Sequence, residues 1–503
     1  MIDLLWIILT PLVGALLIAA TGRSPNVRET VTLLTAVATF AQVVPLTPDV
    51  LDGARPALEI LPVMPGVPLA LQVEPLGMLF ALIASFLWIV ASLYSIGYMR
   101  GNKEHHQTRF YVCFALAIAF TLGIAFSGNL FTLFLFYEAL TLSTYPLVTH
   151  KGDRASMKAG RVYLGILLST SIGLLLIGIL WTYSITGRLD FVPGGIMEGK
   201  IDGPMVGLLL FLFMYGIGKA AMMPIHRWLP AAMVAPTPVS ALLHAVAVVK
   251  AGVFTVVKVI VYIFGIDLLA RTSSAHWLLY VSGATVIIAS VVALQQDNLK
   301  RRLAYSTISQ LSYVILAAAI LTPISVVGAA LHIAAHAFGK ITLFFAAGSI
   351  YTAAHKTNVS QLDGIGRRMP WTMAAFTIGS LSMIGVPPTA GFLSKWYMLS
   401  GAMSAQAWFA VGVLILSTLL NAGYFLPIVY AAFLKPEKTK EDEHGGGHEQ
   451  DGNHGHRSHD HDHGEAPLPI VIALCITALG TIALFFLPGL PLELAQDLVG
   501  GTP

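Results

Sequence analysis

Charge is what this sequence has least of. Only 11% of its 503 residues are Asp, Glu, Lys or Arg, while 56% are hydrophobic. A soluble globular chain carries about 25% charged residues, so a soluble enzyme is excluded. The formal net charge of +3 offers no basic face for nucleic acid. Cysteine is nearly absent: Cys113 and Cys475 are too few for an iron-sulfur cluster or a disulfide framework, and each reads as a small core residue in an apolar run. The chain shows no redox centre, and no cofactor is expected. It also lacks a phosphate-cradling GxxxxGK[ST] loop, which speaks against ATP-driven transport within this chain. What it has in abundance is long apolar runs, the mark of a polytopic, all-α integral membrane protein.

Runs of roughly 20 apolar residues predict about 14 transmembrane helices, at 3–21, 31–47, 76–99, 110–127, 129–149, 161–184, 204–226, 238–264, 276–294, 303–321, 324–352, 371–399, 405–434 and 467–488. The first run stays in the bilayer rather than serving as a cleaved leader, and the second is short. Basic residues test the count. Of 29, twenty fall in loops after odd-numbered spans and four (Arg55, Arg188, Lys200, Arg271) after even-numbered ones. The positive-inside rule then places the odd loops in the cytoplasm and both termini outside a cell inner (plasma) membrane.

Five lysines remain, Lys219, Lys250, Lys258, Lys340 and Lys395, all within predicted spans. Glu138, in "LFTLFLFYEALTLSTYPL", is the acid placed near the middle of an apolar run, and His244, His332 and His336 lie well inside spans. A charge at mid-bilayer costs about 2.5–3.5 kcal/mol on insertion scales, so such residues face a partner, a cavity or the bundle interior. Burial disfavours the charged form and an approaching opposite charge restores it, which makes a lysine with a movable partner a proton relay. The alternative for Glu138, Lys219, Lys250 and Lys395 is a static ion pair. Lys258, near its span's end, is open to snorkelling to the interface. His332, His336 and Lys340 are spaced i, i+4, i+8 and share one helix face. Two histidines so spaced could bind a metal, but the following cation and the want of a nearby carboxylate predict no metal site. His244 is either a relay member or a hydrogen-bonded core histidine.

Pro224, Pro230, Pro236 and Pro238 interrupt one region, and Pro387 with Pro388 in "SMIGVPPTAGFLSKWYML" another. Broken spans expose backbone, which is tolerated in a membrane only where it is buried in protein or lines a cavity. A pair of such breaks points to an ion pathway between inverted repeats. Lys219 is expected before the first break and Lys395 after the second. Spans 4–8 and 9–13 would be two inverted five-helix repeats, with helices 7 and 12 broken.

The segment "GKAAMMPIHRWLPAAMVAPTPVSALLHAVAVVKAGVF" resembles the proton-conducting antiporter-like subunits shared by respiratory complex I, membrane-bound hydrogenases and Mrp-type cation/proton antiporters. "LFYEALTLSTYPLV", "DNLKRRLAYSTISQLSYV", "HIAAHAFGKITLFFAAGSI" and "PPTAGFLSKW" extend the resemblance over spans 3 to 13. The chain is most similar to the D-type subunits of Mrp antiporters and their hydrogenase counterparts. By position, the resemblance implies roles for Glu138 on the fifth span, Lys219 on the broken seventh, Lys250 on the eighth, His332, His336 and Lys340 along the eleventh, and Lys395 on the broken twelfth. It implies a domain order of N-terminal helices (1–109), first repeat (110–264), second repeat (276–434), a His-rich cytoplasmic loop (435–466) and a last helix (467–503). The loop holds seven of 16 histidines and is either a weak metal binder or a solvated linker.

The resemblance implies partner subunits in a hetero-oligomeric membrane complex, with protons and monovalent cations as cargo. The first reading is the proton-translocating subunit of a Na+ or K+/proton antiporter. The second is the pumping subunit of an NADH:quinone oxidoreductase or a membrane-bound hydrogenase. A non-transporting scaffold is the third.

Overall fold

The computed structural model describes residues 2–437 and 464–500, so most of the His-rich loop lies outside the described residues. Its frame is a bundle of helices crossing back and forth between two faces. The first part of the chain forms α1 (Ile2–Ala20), α2 (Pro25–Val43), α3 (Pro75–Gly101), α4 (Gln107–Ala125), α5 (Leu130–Val148) and a long rod α6 (Arg154–Thr186). Then come α7 (Pro204–Gly216), α8 (Thr237–Phe264), α9 (Trp277–Gln295), α10 (Leu299–Ala319) and the 32-residue α11 (Pro323–Ala354). The last are α12 (Pro370–Ile384), α13 (Ala390–Ser404), α14 (Trp408–Leu434), α15 (Leu468–Phe486) and the short α16 (Gly489–Asp497).

Among the described residues ten helices are long and apolar enough to cross a membrane, and Leu4–Ala20 and Pro204–Gly216 are shorter apolar ones. The other two predicted spans fall on α10 and on the α12–α13 pair, which are not among the ten. Helix starts follow local chemistry. Asn129 accepts the Thr132 amide to open α5 (2.8 Å) and Asp153 accepts that of Ser156 to open α6 (2.7 Å). Thr322 and Ser325 form a reciprocal cap with Pro323 in the first turn of α11.

Three departures from the expected layout have physical causes. Helix α2 begins at Pro25, not near residue 31, because Arg28 and Glu29 are buried against each other and against Arg100 at the end of α3. Paired charges can stay inside a helix that an apolar count ends early. Residues 57–72, expected as loop, form an antiparallel hairpin, β1 (Ala57–Met64) with β2 (Val67–Gln72). Its turn carries Gly66 at φ +73°. The seventh span is not one helix over 204–226: α7 stops at Gly216, and the chain continues to residue 236 in short 3-10 and single-turn pieces. Lys219 therefore lies in the break, not before it.

Core and lipid-facing helices separate by burial. The membrane-length apolar window of α8 is wholly buried, and that of α11 is 94% buried, against 33% for α15. The two most enclosed helices are those carrying Lys250, Lys258, His332, His336 and Lys340.

Candidate functional site: a buried chain of basic groups

The first break brings Lys219 to α5. Its backbone N–H donates to the Tyr137 hydroxyl (3.1 Å), and its Nζ donates to the Tyr137 carbonyl (2.8 Å) and the Thr141 hydroxyl (2.6 Å). The ammonium also lies 3.1 Å from the centre of the Tyr137 ring. Trp228 Nε1 donates to the Gly218 carbonyl at 3.1 Å, which also accepts from the Ala221 amide. Helix α8 touches the break through Gly252, where a Cβ would lie 2.3 Å from the Ala220 nitrogen. Glu138 lies one residue beyond Tyr137, on the same stripe of α5 as the exposed Leu135 and Leu142. Its carboxylate oxygens are buried with no hydrogen-bond partner. The two ends of the expected Glu138–Lys219 pair thus sit on neighbouring positions, but Tyr137 and Thr141, not Glu138, hold the ammonium here.

At the centre, Lys250 Nζ meets His336 Nδ1 at 2.5 Å, with both groups fully buried. This contact holds one proton between two basic nitrogens. The His336 and His332 rings are stacked, with centroids 6.1 Å apart. His332 Nε2 lies 2.9 Å from the Gln310 side-chain oxygen, an acceptor, so Nε2 carries the proton. Its Nδ1 lies 2.8 Å from the Ser394 hydroxyl, which can also donate to the Gly391 carbonyl at 3.1 Å. The hydroxyl therefore serves both charge states of the ring. It donates to a neutral Nδ1, or turns to Gly391 and accepts from a protonated one.

A second hydrogen-bonded run joins Lys340 to Lys395. Lys340 Nζ donates to Ser306 (2.8 Å), whose hydroxyl lies 3.0 Å from that of Tyr424. Tyr424 is closely bonded to Asn421, whose amide donates to Tyr313 (3.4 Å). Lys395 Nζ lies 3.5 Å from the same Tyr313 hydroxyl. Lys395 also donates to the Met383 and Ile384 carbonyls (2.8 and 2.9 Å), the groups left free where α12 stops. Gln310 donates to that Met383 carbonyl (3.4 Å), so both runs converge at the second break.

Each predicted residue has a place in or beside this chain. His244 lies in a widened turn of α8 over Leu242–Val246, against Phe344 (4.8 Å), with both ring nitrogens unpartnered. That is not the hydrogen-bonded core histidine allowed for. Lys258 does not snorkel: it is fully buried and paired with Glu74 at 3.3 Å. Nothing in the sequence pairs residues 184 positions apart. Ser306, Gln310, Tyr313, Ser394, Asn421 and Tyr424 went unnoticed because uncharged polar residues are common in spans. For the first three a signal exists, since they repeat at i, i+4, i+7 along α10.

A sealed bundle with two broken helices, threaded by lysines and histidines in hydrogen-bonding sequence, defines the class of antiporter-like membrane subunits. Residues 127–421, more than half of the chain, match the family described as NADH:quinone oxidoreductase/Mrp antiporter, transmembrane. The chain belongs to this family. It is similar to NADH-quinone oxidoreductase subunit N of Desulforudis audaxviator, with 35% identity over 73% of each protein. It is also similar to hydrogenase-4 component B of Escherichia coli (32% identity, 65% of this chain), but spans only 50% of that relative. Two solved structures share the fold at 22% identity, each over 99% of this chain and 97% of the other. They are a chain of the Mrp complex from a Dietzia species (TM-score 0.85) and one of an archaeal membrane-bound sulfane sulfur reductase (0.82).

Proposed function

We propose that this chain is the proton-translocating subunit of a multi-subunit Na+ or K+/proton antiporter in the plasma membrane. Protons move laterally at mid-membrane. Glu138 and Lys219 act as a gate pair, Lys250 with His336, His332 and Lys340 as the central relay, and Lys395 as the far counterpart, with His244 beside the centre. One half-channel opens to each side. The observation that carries the reading is the Ser394–His332–Gln310 arrangement, which accommodates an added proton by turning one hydroxyl. Orphaned nitrogens on His244 and His336 are the groups a water wire bonds to.

In everted vesicles carrying the complex, Lys219→Ala abolishes cation-dependent proton movement while the subunits still co-purify. Retained movement rules out the Glu138–Lys219 gate pair. The relatives named above favour a second reading, the pumping arm of an NADH:quinone oxidoreductase or hydrogenase. Purification of the native complex and identification of its partners separates the two: small antiporter subunits support the first, and redox subunits the second.

A further inference from the structure

Lys258 is the one intramembrane lysine the relay leaves unused, and its surroundings form a built site. Glu74 caps α3, accepting the Leu76 and Gly77 amides at 2.9 Å each. It also accepts from the Tyr262 hydroxyl at 2.9 Å and pairs with Lys258 Nζ at 3.3 Å. Lys258 Nζ donates to the Ser127 carbonyl (2.9 Å) and sits 4.2 Å from the Phe191 ring centre. On the other side of this cluster lies a cavity of ≈ 480 Å³, lined by Glu74, Tyr262 and Phe191 but not by Lys258. The cavity opens on the face opposite the basic loops, so Glu74 is its floor and Lys258 stands behind the floor. Lys250 lies eight residues earlier on α8, about 12 Å by helical rise. Phe254, its ring tilted against Phe80 (centroids 5.0 Å apart), lies in the interval.

We propose that Glu74, Lys258 and Tyr262 form the external gate of the first repeat, joining the Lys250 relay to this cavity. The proposal rests on the proton-translocating reading. An ammonium proton of Lys258 passes to the Glu74 carboxylate, leaving a neutral amine and a carboxylic acid. The acid then releases that proton to cavity water, giving hydronium and restoring the carboxylate. The amine is recharged by the proton from Lys250, carried through about three or four waters that enter when Phe254 swings aside. Tyr262 holds the carboxylate in line and leaves the gate closed at rest.

The test uses everted vesicles with the intact complex and a pH-sensitive dye. Proton movement is driven by Na+ or K+, or by NADH or H2 where neither cation drives it. Lys258→Arg keeps the charge and the pair but cannot give up a proton; at least a ten-fold loss of movement with normal co-purification is expected. Rates above half of wild type in Lys258→Arg overturn the gate, since a purely structural clamp tolerates arginine. Should that variant fail to assemble, Val499→Cys in the cavity wall decides. Treating intact cells with an impermeant, cationic thiol reagent before vesicle preparation should block movement, and an unaffected rate overturns the gate. Lys219→Ala runs alongside. Movement that survives it but is lost in Lys258→Arg removes the Glu138–Lys219 reading and keeps the gate, and the converse removes the gate alone.

Discussion

At the scale of single residues, His332 shows how a buried group can change charge without a costly rearrangement. A buried donor or acceptor left without a partner costs about 1–3 kcal/mol, and Ser394 avoids that in both states by rotating one hydroxyl. Ser394→Ala is expected to lower proton movement about ten-fold and Ser394→Thr to restore most of it, both read from dye-quenching rates in vesicles. A histidine outside the spans behaves differently. His150 is enclosed at the end of α5, and burial, then nearby Arg109, push it down to about 4. The unfolded chain, with an ordinary histidine near 6.5, binds the proton first. Stability is therefore full above pH 6.5 and is lost as pH falls toward 4, by about 2 kcal/mol at pH 5. His150→Gln should flatten that slope in denaturation midpoints of the purified complex between pH 7 and 5. The charged site residues were legible in the sequence because a charge in an apolar run is expensive. Gln310 and Asn421 were not, because a buried amide announces itself only through its partner on another helix.

At the scale of elements, the two breaks hold the lysines in place. Prolines revealed that the helices break, but not where, since the ends depend on contacts distant in sequence. At Gly252 a Cβ would lie 2.4 Å from the Lys219 carbonyl carbon, and at Gly391 it would lie 1.7 Å from the Ser382 carbonyl oxygen. Backbone opposes backbone at both places, and no side chain can yield. Gly252→Ala is expected to cost about 1–3 kcal/mol through overpacking and to move Lys219 away from Thr141. The checks are a lowered denaturation midpoint and a slower transport rate in the same preparation. The Pro65-Gly66 turn of the hairpin was legible, but the strands on either side are nearly unbroken apolar runs with no alternation to mark them. At eight and six residues those strands are far shorter than a membrane span.

For the whole molecule, helix order and loop charge agree on two faces. The arginine- and lysine-bearing ends of α3, α5 and α14 share one face, and the hairpin, α16 and the Glu74 cavity lie on the other. Reporter fusions test the orientation: alkaline phosphatase joined after Gly194 is expected to be active, and joined after Gly152 inactive. The helical, membrane-embedded class was legible from composition, because the bilayer dictates the lengths of apolar runs. The chain of buried polar groups was not, because it runs across α8, α10, α11, α13 and α14, and helix-to-helix register is set by packing that no single stretch of sequence encodes.

The crowding of Lys250 and Lys340 around His336 has a further consequence. Lys250 touches His336, and Lys340 follows it by one helical turn, about 6 Å of rise. Like charges so placed repel, and among the described residues neither ammonium has a carboxylate bonded to it. Charging both lysines at once is thus disfavoured. In the relay proposed above, the core is then a single-seat carriage, in which each arriving passenger obliges the previous one to step off.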